Sequence, residues 1–272
     1  NSGNESLEKI YKYLKKNNLT SVFYSAEKEL SDSKYILVQN NINSGYARGN
    51  NLGIKIALHI ESDYILILNN DIYITQGAIT EMLQFIKSNK AVGCVGPIIH
   101  ENDSYDLNFA RNNMKWYDFF LLSGIGKKLL PPKIFLKHHY IAFRKIPKEP
   151  FQTDLISGSC MLYPASVLQK LNGYDDNTFL FYEEAIMSKR LENLGLSTFV
   201  VPSSHVEHEH AGSIKKITSS VILKHSLNSQ YYYLHHIKNY TKLLTQFIMS
   251  GQYLTYFFVK IAEKIRSNEN SN

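Results

Sequence analysis

Hydrophobic and polar positions along this chain change period from block to block, and each block predicts an element. In "NSGNESLEKIYKYLKKN", Leu7, Ile10, Tyr11 and Leu14 recur at helical spacing. Ser2 with Glu5, or Asn4 alone, is placed to cap that helix. "YILVQN" (35–40) is an apolar run of strand length, followed by a turn at 43–45 and a helix through about His59. "YILILNND" (64–71) predicts a second buried strand. A helix runs from Gln76 to about Ser88, with Ile79, Leu83 and Ile86 in register, and "AVGCVGPII" (91–99) is a third strand. Short apolar strands alternating with helices of about a dozen residues predict an α/β fold with a mainly parallel sheet. Ligands of such sheets sit beyond the carboxyl ends of the strands. Asn69, Asn70 and Asp71 stand at one of those ends.

From Glu101 to Pro150 the periodicity lapses into "PPK", a His-His pair, Trp116 and scattered aromatics, which reads as a substrate-facing excursion. Pattern returns at "DLISGSCMLYP" (154–164), predicted as one strand, and at a helix from Ala165 to about Leu171. Ile186, Met187, Leu191 and Leu194 then form a helical stripe closed by Gly195. "STFVVP" is the last predicted strand, and "SSHVEHEHAGS" reads as a polar loop rich in histidine. After Ser213 the chain is predicted helical to about Arg266, with Leu227, Tyr231, Leu234 and Ile237 on one face and a frayed tail. The division is therefore a catalytic-type α/β unit over 1–213 and a helical segment over 214–272.

Composition narrows this picture. With 272 residues and 44% hydrophobic content the chain can bury a core, and wholesale disorder is excluded. A net charge of +6 permits attraction to phosphates or anionic lipid, but there is no arginine stripe or nucleic-acid motif, so no nucleic-acid partner is expected. Cys94 and Cys160 sit inside apolar runs and read as buried free thiols. The most membrane-like stretch, Leu243–Val259, is broken by Thr245, Gln246, Ser250, Gly251, Gln252 and Thr255 and falls short of the ~20 residues of a span, so it predicts an amphipathic helix, buried or interfacial.

Four stretches carry chemistry, and each has a plain structural alternative. "LNND" offers a carboxylate and two amides, suited to a hard divalent cation shared with substrate phosphates, or to an ordinary turn capping a strand. "NSGYARGNNLGI" (43–54) puts Gly45, Gly49 and Arg48 at a helix start, suited to an anion or to a strand–turn–helix joint. In "FYEEAIM", Glu183 and Glu184 follow an aromatic run; a half-shielded carboxylate can act as a general base, but acids in a first turn also complement the helix dipole. "HVEHEHAGS" offers His205, His208 and His210 as metal or phosphate contacts, or as structural side chains.

Taken together and in this order, these stretches resemble inverting nucleotide-sugar glycosyltransferases with the GT-A fold, in particular the bacterial rhamnosyltransferase-like group that builds surface polysaccharides. The resemblance rests on "NSGYARGNNLGI", "YILILNNDI", "ISGSCMLYPASVLQKLNGYDDNTFLFYEEAIMSKRLENLG" and "HEHAGS", and covers about residues 1–213. It implies a GT-A-like, Rossmann-like, mostly parallel sheet flanked by helices, with the C-terminal helices as an extension. It implies that Asp71 ligates a divalent cation, Mg2+ or Mn2+, and that Asn69 and Asn70 face the donor. Arg48 and Asn51 would lie near the nucleotide sugar. Glu183 and Glu184 match the family's Glu-Asp pair, making Glu184 the catalytic base and Glu183 a substrate-side neighbour. Gly158 and Ser159 would floor the site, and His208 would help hold the metal or diphosphate.

The implied reaction is sugar transfer from a nucleoside-diphosphate sugar to a glycan or lipid-linked acceptor hydroxyl. The expected location is cytoplasmic, at the inner face of the membrane, with peripheral membrane contact or a homodimer through the C-terminal helices. The sequence departs from the family at Glu184, where aspartate is usual, and at Ile186, where a further aspartate is frequent. Relatives carry a strand and helix ahead of "NSG", so the chain is expected to be truncated by its first strand. Those departures motivate a second reading, a degenerate relative that binds nucleotide sugar or glycan without turnover. A nucleotidyltransferase is a third, but its Gly-rich first-strand signature does not occur here.

Overall fold

A computed structural model describes residues 3–19, 21–23, 34–40, 42–102, 104–118, 136–137, 139–209 and 219–269. Helix α1 (Gly3–Lys16) buries Leu14, while Ile10 and Tyr11 of the same predicted face stay exposed. Strands β1 (Ser21–Phe23) and β2 (Tyr35–Leu37) pair in parallel. Helix α2 (Tyr46–His59), β3 (Tyr64–Leu68), β4 (Ile72–Ile74), α3 (Ala78–Ser88) and β5 (Val92–Glu101) follow. Strand β5 is buried continuously from Val92 to Ile99, as a strand covered on both faces must be.

The predicted strand over 154–164 is broken in two. Its first part, β9 (Leu155–Ile156), pairs with β7 (Ala110–Arg111); its second, β10 (Cys160–Pro164), enters the central sheet after a turn at Gly158. That sheet has the order β3–β10–β5–β11–β4, where β11 is Ser197–His208; β6 (Ser104–Tyr105) joins β5 and β8 (Phe151–Thr153) joins β11. Strands β3, β5 and β11 share one direction, and β10 runs against its neighbours between β3 and β5. The result is a mixed GT-A-like sheet, flanked by α2, α3, α4 (Ala165–Leu171) and α5 (Glu183–Asn193). Met82, Val95, Phe109, Leu168 and Val200 are fully enclosed between these layers, and each such side chain contributes roughly 1.5–3 kcal/mol by leaving water. Cys94 and Cys160 are buried free thiols in this core.

The histidine-rich stretch is not a loop. Strand β11 continues through it to His208, after a register shift between Val201 and His205 that accommodates Pro202. Beyond the shift Val206 is buried and Glu207 exposed, the alternation of a half-covered strand, and Val206–His208 pair with β4. His205 is spent on the sheet, its Nδ1 lying 3.0 Å from His100 Nε2. His210 lies outside the described residues.

Helix α6 (Ser219–Tyr232) runs into a π-turn at Tyr233–Ile237, and α7 (Lys242–Glu269) packs back on both. Leu227, Tyr233, Leu234, Ile248 and Met249 form a second apolar cluster with Leu155, Ala185 and Ile186. Ile186 therefore faces the C-terminal helices, where an aspartate would be an unpaired buried charge. The expected boundary at 213/214 falls among residues outside the described set. Among the described residues no helix is long and apolar enough to cross a membrane.

Candidate active site

Strand β3 ends at Leu68, and the chain beyond it is fixed from two sides. The Asn69 amide donates to Ser159 O (2.9 Å), and the Glu209 amide donates to Asp71 O (2.9 Å). The second bond draws the end of β11 against the Asn-Asp turn. It leaves His208 Nε2 3.4 Å from Asp71 Oδ1. On the other side of the ring, Nδ1 lies 3.3 Å from Oδ2 of Asp106, whose Oδ1 accepts the Asn108 amide at 2.7 Å. In the tautomer that donates from Nδ1 to Asp106, the Nε2 lone pair faces the Asp71 side, as a metal ligand's would. Asp71 Oδ1 is buried and receives no hydrogen bond. A buried carboxylate oxygen without a donor is the position a cation would satisfy, so the residues present fit a divalent ion. Among the described residues no three carboxylate, imidazole or thiolate groups gather to hold an ion by themselves. An ion here would need ligand oxygens as well, the usual arrangement for Mg2+ beside phosphates.

The second carboxylate centre lies at the start of α5. Phe181 and Tyr182 both adopt left-handed backbone, with φ of 75° and 69°, and swing the chain so that the helix opens at Glu183. Glu184 Oε1 accepts the Gly158 amide at 3.2 Å, and the Tyr46 hydroxyl donates to Gly158 O at 2.5 Å. A Cβ on residue 158 would stand 2.6 Å from Glu184 Oε1, so a side chain there would push the Glu184 carboxylate from its position. Ser159 is buried behind it, with its Oγ 2.9 Å from Ser157 Oγ. The two glutamates differ in environment. Glu183 is buried with one carboxyl oxygen lacking a partner; burial, then the charge of Glu184, pushes its carboxyl up to about 8. It thus holds its proton at neutral pH, whereas Glu184 is half-buried and faces open space. Burial and the two nearby glutamates push the Tyr46 phenol far above its ordinary value, so it acts as a neutral donor.

Both centres reach one cavity of about 500 Å³, the first through Asn69 and His208 rather than through Asp71 itself. Asn69, His208, Gly158, Ser159, Glu183 and Glu184 line it, and so do Asp106, Arg111, His139 and, from the C-terminal helices, Ser226 and Tyr233. Asn70 is exposed beside the turn.

The structure does not bring the other two predicted donor-side residues to the cavity. Arg48 Nε donates to Asp176 O at 3.1 Å and lies 3.5 Å from Asp176 Oδ2. The Asn51 amide is used at both ends on Tyr174, donating to its carbonyl (2.9 Å) and accepting its N–H (2.7 Å). Both side chains brace the loop before α5. Gly45 serves the same joint: its φ is 89°, a Cβ there would collide with the Phe179 backbone, and Tyr46 N–H donates to Phe179 O. Gly49 faces open space. Asn51→Ala is accordingly expected to lower unfolding free energy by about 1–3 kcal/mol, because the Tyr174 backbone loses both partners. Chemical denaturation reads that loss, and calorimetry should find nucleotide affinity unchanged within a few-fold.

Tyr46, Asp106, Arg111 and His139 were not expected from the sequence. Tyr46 had a signal, since it follows Gly45 at the start of the predicted helix. The other three come from the aperiodic Glu101–Pro150 stretch. There His139 is buried 3.5 Å from Asp118 Oδ1, and Arg111 carries its Nε into the cavity wall without a hydrogen-bond acceptor.

A model of the family described as Glycosyl transferase family 2 matches residues 19–171. The chain belongs to this family. It is 26% identical over 165 residues to the N-acetylglucosaminyl-diphospho-decaprenol L-rhamnosyltransferase of Mycobacterium tuberculosis, covering 60% of this chain and 52% of that protein. It is 23% identical over 175 residues to the rhamnosyltransferase WbbL of Escherichia coli, covering 60% of each. The chain thus spans about half the length of the curated relatives it matches. The solved structure of the mannosyltransferase PcManGT from Pyrobaculum calidifontis, in complex with GDP-Man and Mn2+, superposes over 91% of this chain and 65% of that one, at 10% identity and a TM-score of 0.45. The family-2 match takes in Asp71, Gly158 and Ser159 but ends with α4. Glu184 and His208 lie beyond it and enter the site on geometry alone.

Proposed function

We propose that this family-2 chain is a cation-dependent, inverting glycosyltransferase acting on a nucleoside-diphosphate sugar. The observation that carries the reading is the shared cavity: Glu184 lines it, and so does His208, whose ring lies beside Asp71, over the floor made by Gly158 and Ser159. In this reading Asp71 and His208 hold Mg2+ or Mn2+, with Asn69 and Asn70 toward the donor. Bound there, the ion supplies Lewis-acid stabilisation of the departing diphosphate. Glu184 takes the proton of the acceptor hydroxyl as that oxygen attacks the anomeric carbon, and the bond to the diphosphate oxygen breaks on the opposite face. Glu183, kept neutral by burial, is not the base in this reading. Asp106 keeps His208 oriented.

The diphospho-decaprenol acceptor in the name of the Mycobacterium tuberculosis relative supports a lipid-linked acceptor, and in this reading transfer runs in surface-polysaccharide synthesis at the inner face of the cytoplasmic membrane. The test is to incubate the chain with a panel of nucleoside-diphosphate sugars, Mn2+ and candidate acceptors, and follow nucleoside-diphosphate release and the anomeric configuration of the product. Release with inverted product is expected. Donor binding with no release over hours would overturn the reading in favour of a binding-only relative.

A further inference from the structure

Helix α7 is apolar on two opposite faces, and among the described residues only one of them is covered. Thr245, Ile248 and Met249 are buried against α6 and the π-turn, and on the same side Glu263 accepts the Ser220 amide at 2.9 Å. At about 100° per residue, the opposite side carries a stripe roughly 100° wide. Its members are large and exposed: Leu243 (81%), Leu254 (52%), Phe257 (58%), Phe258 (60%), Ile261 (41%) and Ile265 (53%). From Leu243 to Ile265 the stripe is about 33 Å long at 1.5 Å per residue. An ordinary surface helix presents polar residues there.

Charge identifies what covers it. Between Lys242 and Arg266 the helix has four cations, Lys242, Lys260, Lys264 and Arg266, and one acid, Glu263. That acid is on the packed side. The three lysines fall along one edge of the stripe, with Tyr253 between them. Two copies of this face brought together would find no carboxylates for those lysines. A phospholipid surface offers both halves of the match, acyl chains for the stripe and anionic headgroups for the lysine edge.

We propose that α7 is an interfacial helix that docks the chain on anionic membrane. Lipid binding needs no sugar transfer, so its failure and that of the transferase reading are separable. The consequence for the site does rest on that reading: α6 and the π-turn, on which α7 packs, wall the cavity through Ser226 and Tyr233. Docking would thus hold the cavity beside a surface that presents lipid-linked acceptors.

The test is co-sedimentation with phosphatidylcholine–phosphatidylglycerol vesicles and with phosphatidylcholine alone. The chain is expected to sediment with the anionic vesicles, less so as salt is raised. The double variant Leu254→Ser, Phe258→Ser should lose about tenfold or more in vesicle affinity, with an unchanged melting temperature because both side chains are already exposed. Lys242→Glu with Lys260→Glu should remove the preference for anionic lipid. A chain that ignores both vesicle types overturns the proposal. So does a dimer in solution that the serine substitutions dissociate without changing vesicle binding.

Discussion

Glu184→Gln is expected to slow sugar transfer by about 10²–10⁴-fold, the range a positioned general base contributes, while leaving the chain folded. The amide has nearly the shape of the carboxylate and keeps an oxygen to accept the Gly158 amide, so the turn at 157–159 should not move. What it loses is the capacity to take a proton. The informative companion is Glu183→Gln. That carboxyl already carries a proton at neutral pH, so its amide should hold turnover within several-fold. Single-turnover rates at saturating donor and acceptor, with melting temperatures alongside, separate the two. Equal losses in both variants would mean that the pair acts as a unit; near-native turnover in Glu184→Gln would remove it as the base.

Asp71→Ala is expected to weaken Mn2+-dependent binding of a nucleoside diphosphate by about a hundredfold or more, beyond the 10–100-fold typical of losing a residue that merely supports a metal ligand. The control is built into the titration: with chelator present, wild type and variant should bind the nucleotide equally. The structure adds a second expectation. Asp71 Oδ1 is a buried oxygen that accepts no hydrogen bond, with His208 Nε2 3.4 Å away, so its removal should cost the fold little. Without metal, the variant should melt at the same temperature as wild type. A site residue that weakens binding without weakening the fold is distinguished from Asn51, for which the expected pattern is the reverse.

The two proposed carboxylates stand out in the sequence because each follows a buried strand or an aromatic run, a pattern shared with strand-capping turns and helix-dipole acids. The α/β alternation was readable for the same reason: β3 and β5 are short continuous apolar blocks between helical periods. Asn51 and Arg48 read as donor-side residues because a side chain that hydrogen-bonds a distant loop has the same local signature as one that faces a ligand. Only the partner at Tyr174 or Asp176, more than a hundred residues away, distinguishes them. His208 was expected in a loop because Pro202 normally ends a strand; the register shift that carries β11 past it has no local sequence mark. Asp106 and His139 were hidden by an aperiodic stretch whose order comes from contacts with β5, β9 and β11 rather than from its own pattern.

Phe181 and Tyr182 have a consequence for how this protein can change. Two successive aromatic residues in left-handed backbone each carry about 1–3 kcal/mol of conformational penalty, which glycine would remove. Glycine would also delete two side chains from the cavity wall. At Tyr182 the ring also packs against Tyr233 in the second apolar cluster, so its loss would cost more than the backbone relief returns. A library selected for heat tolerance alone should drift toward glycine at Phe181 before Tyr182, and one selected for transfer should keep both rings.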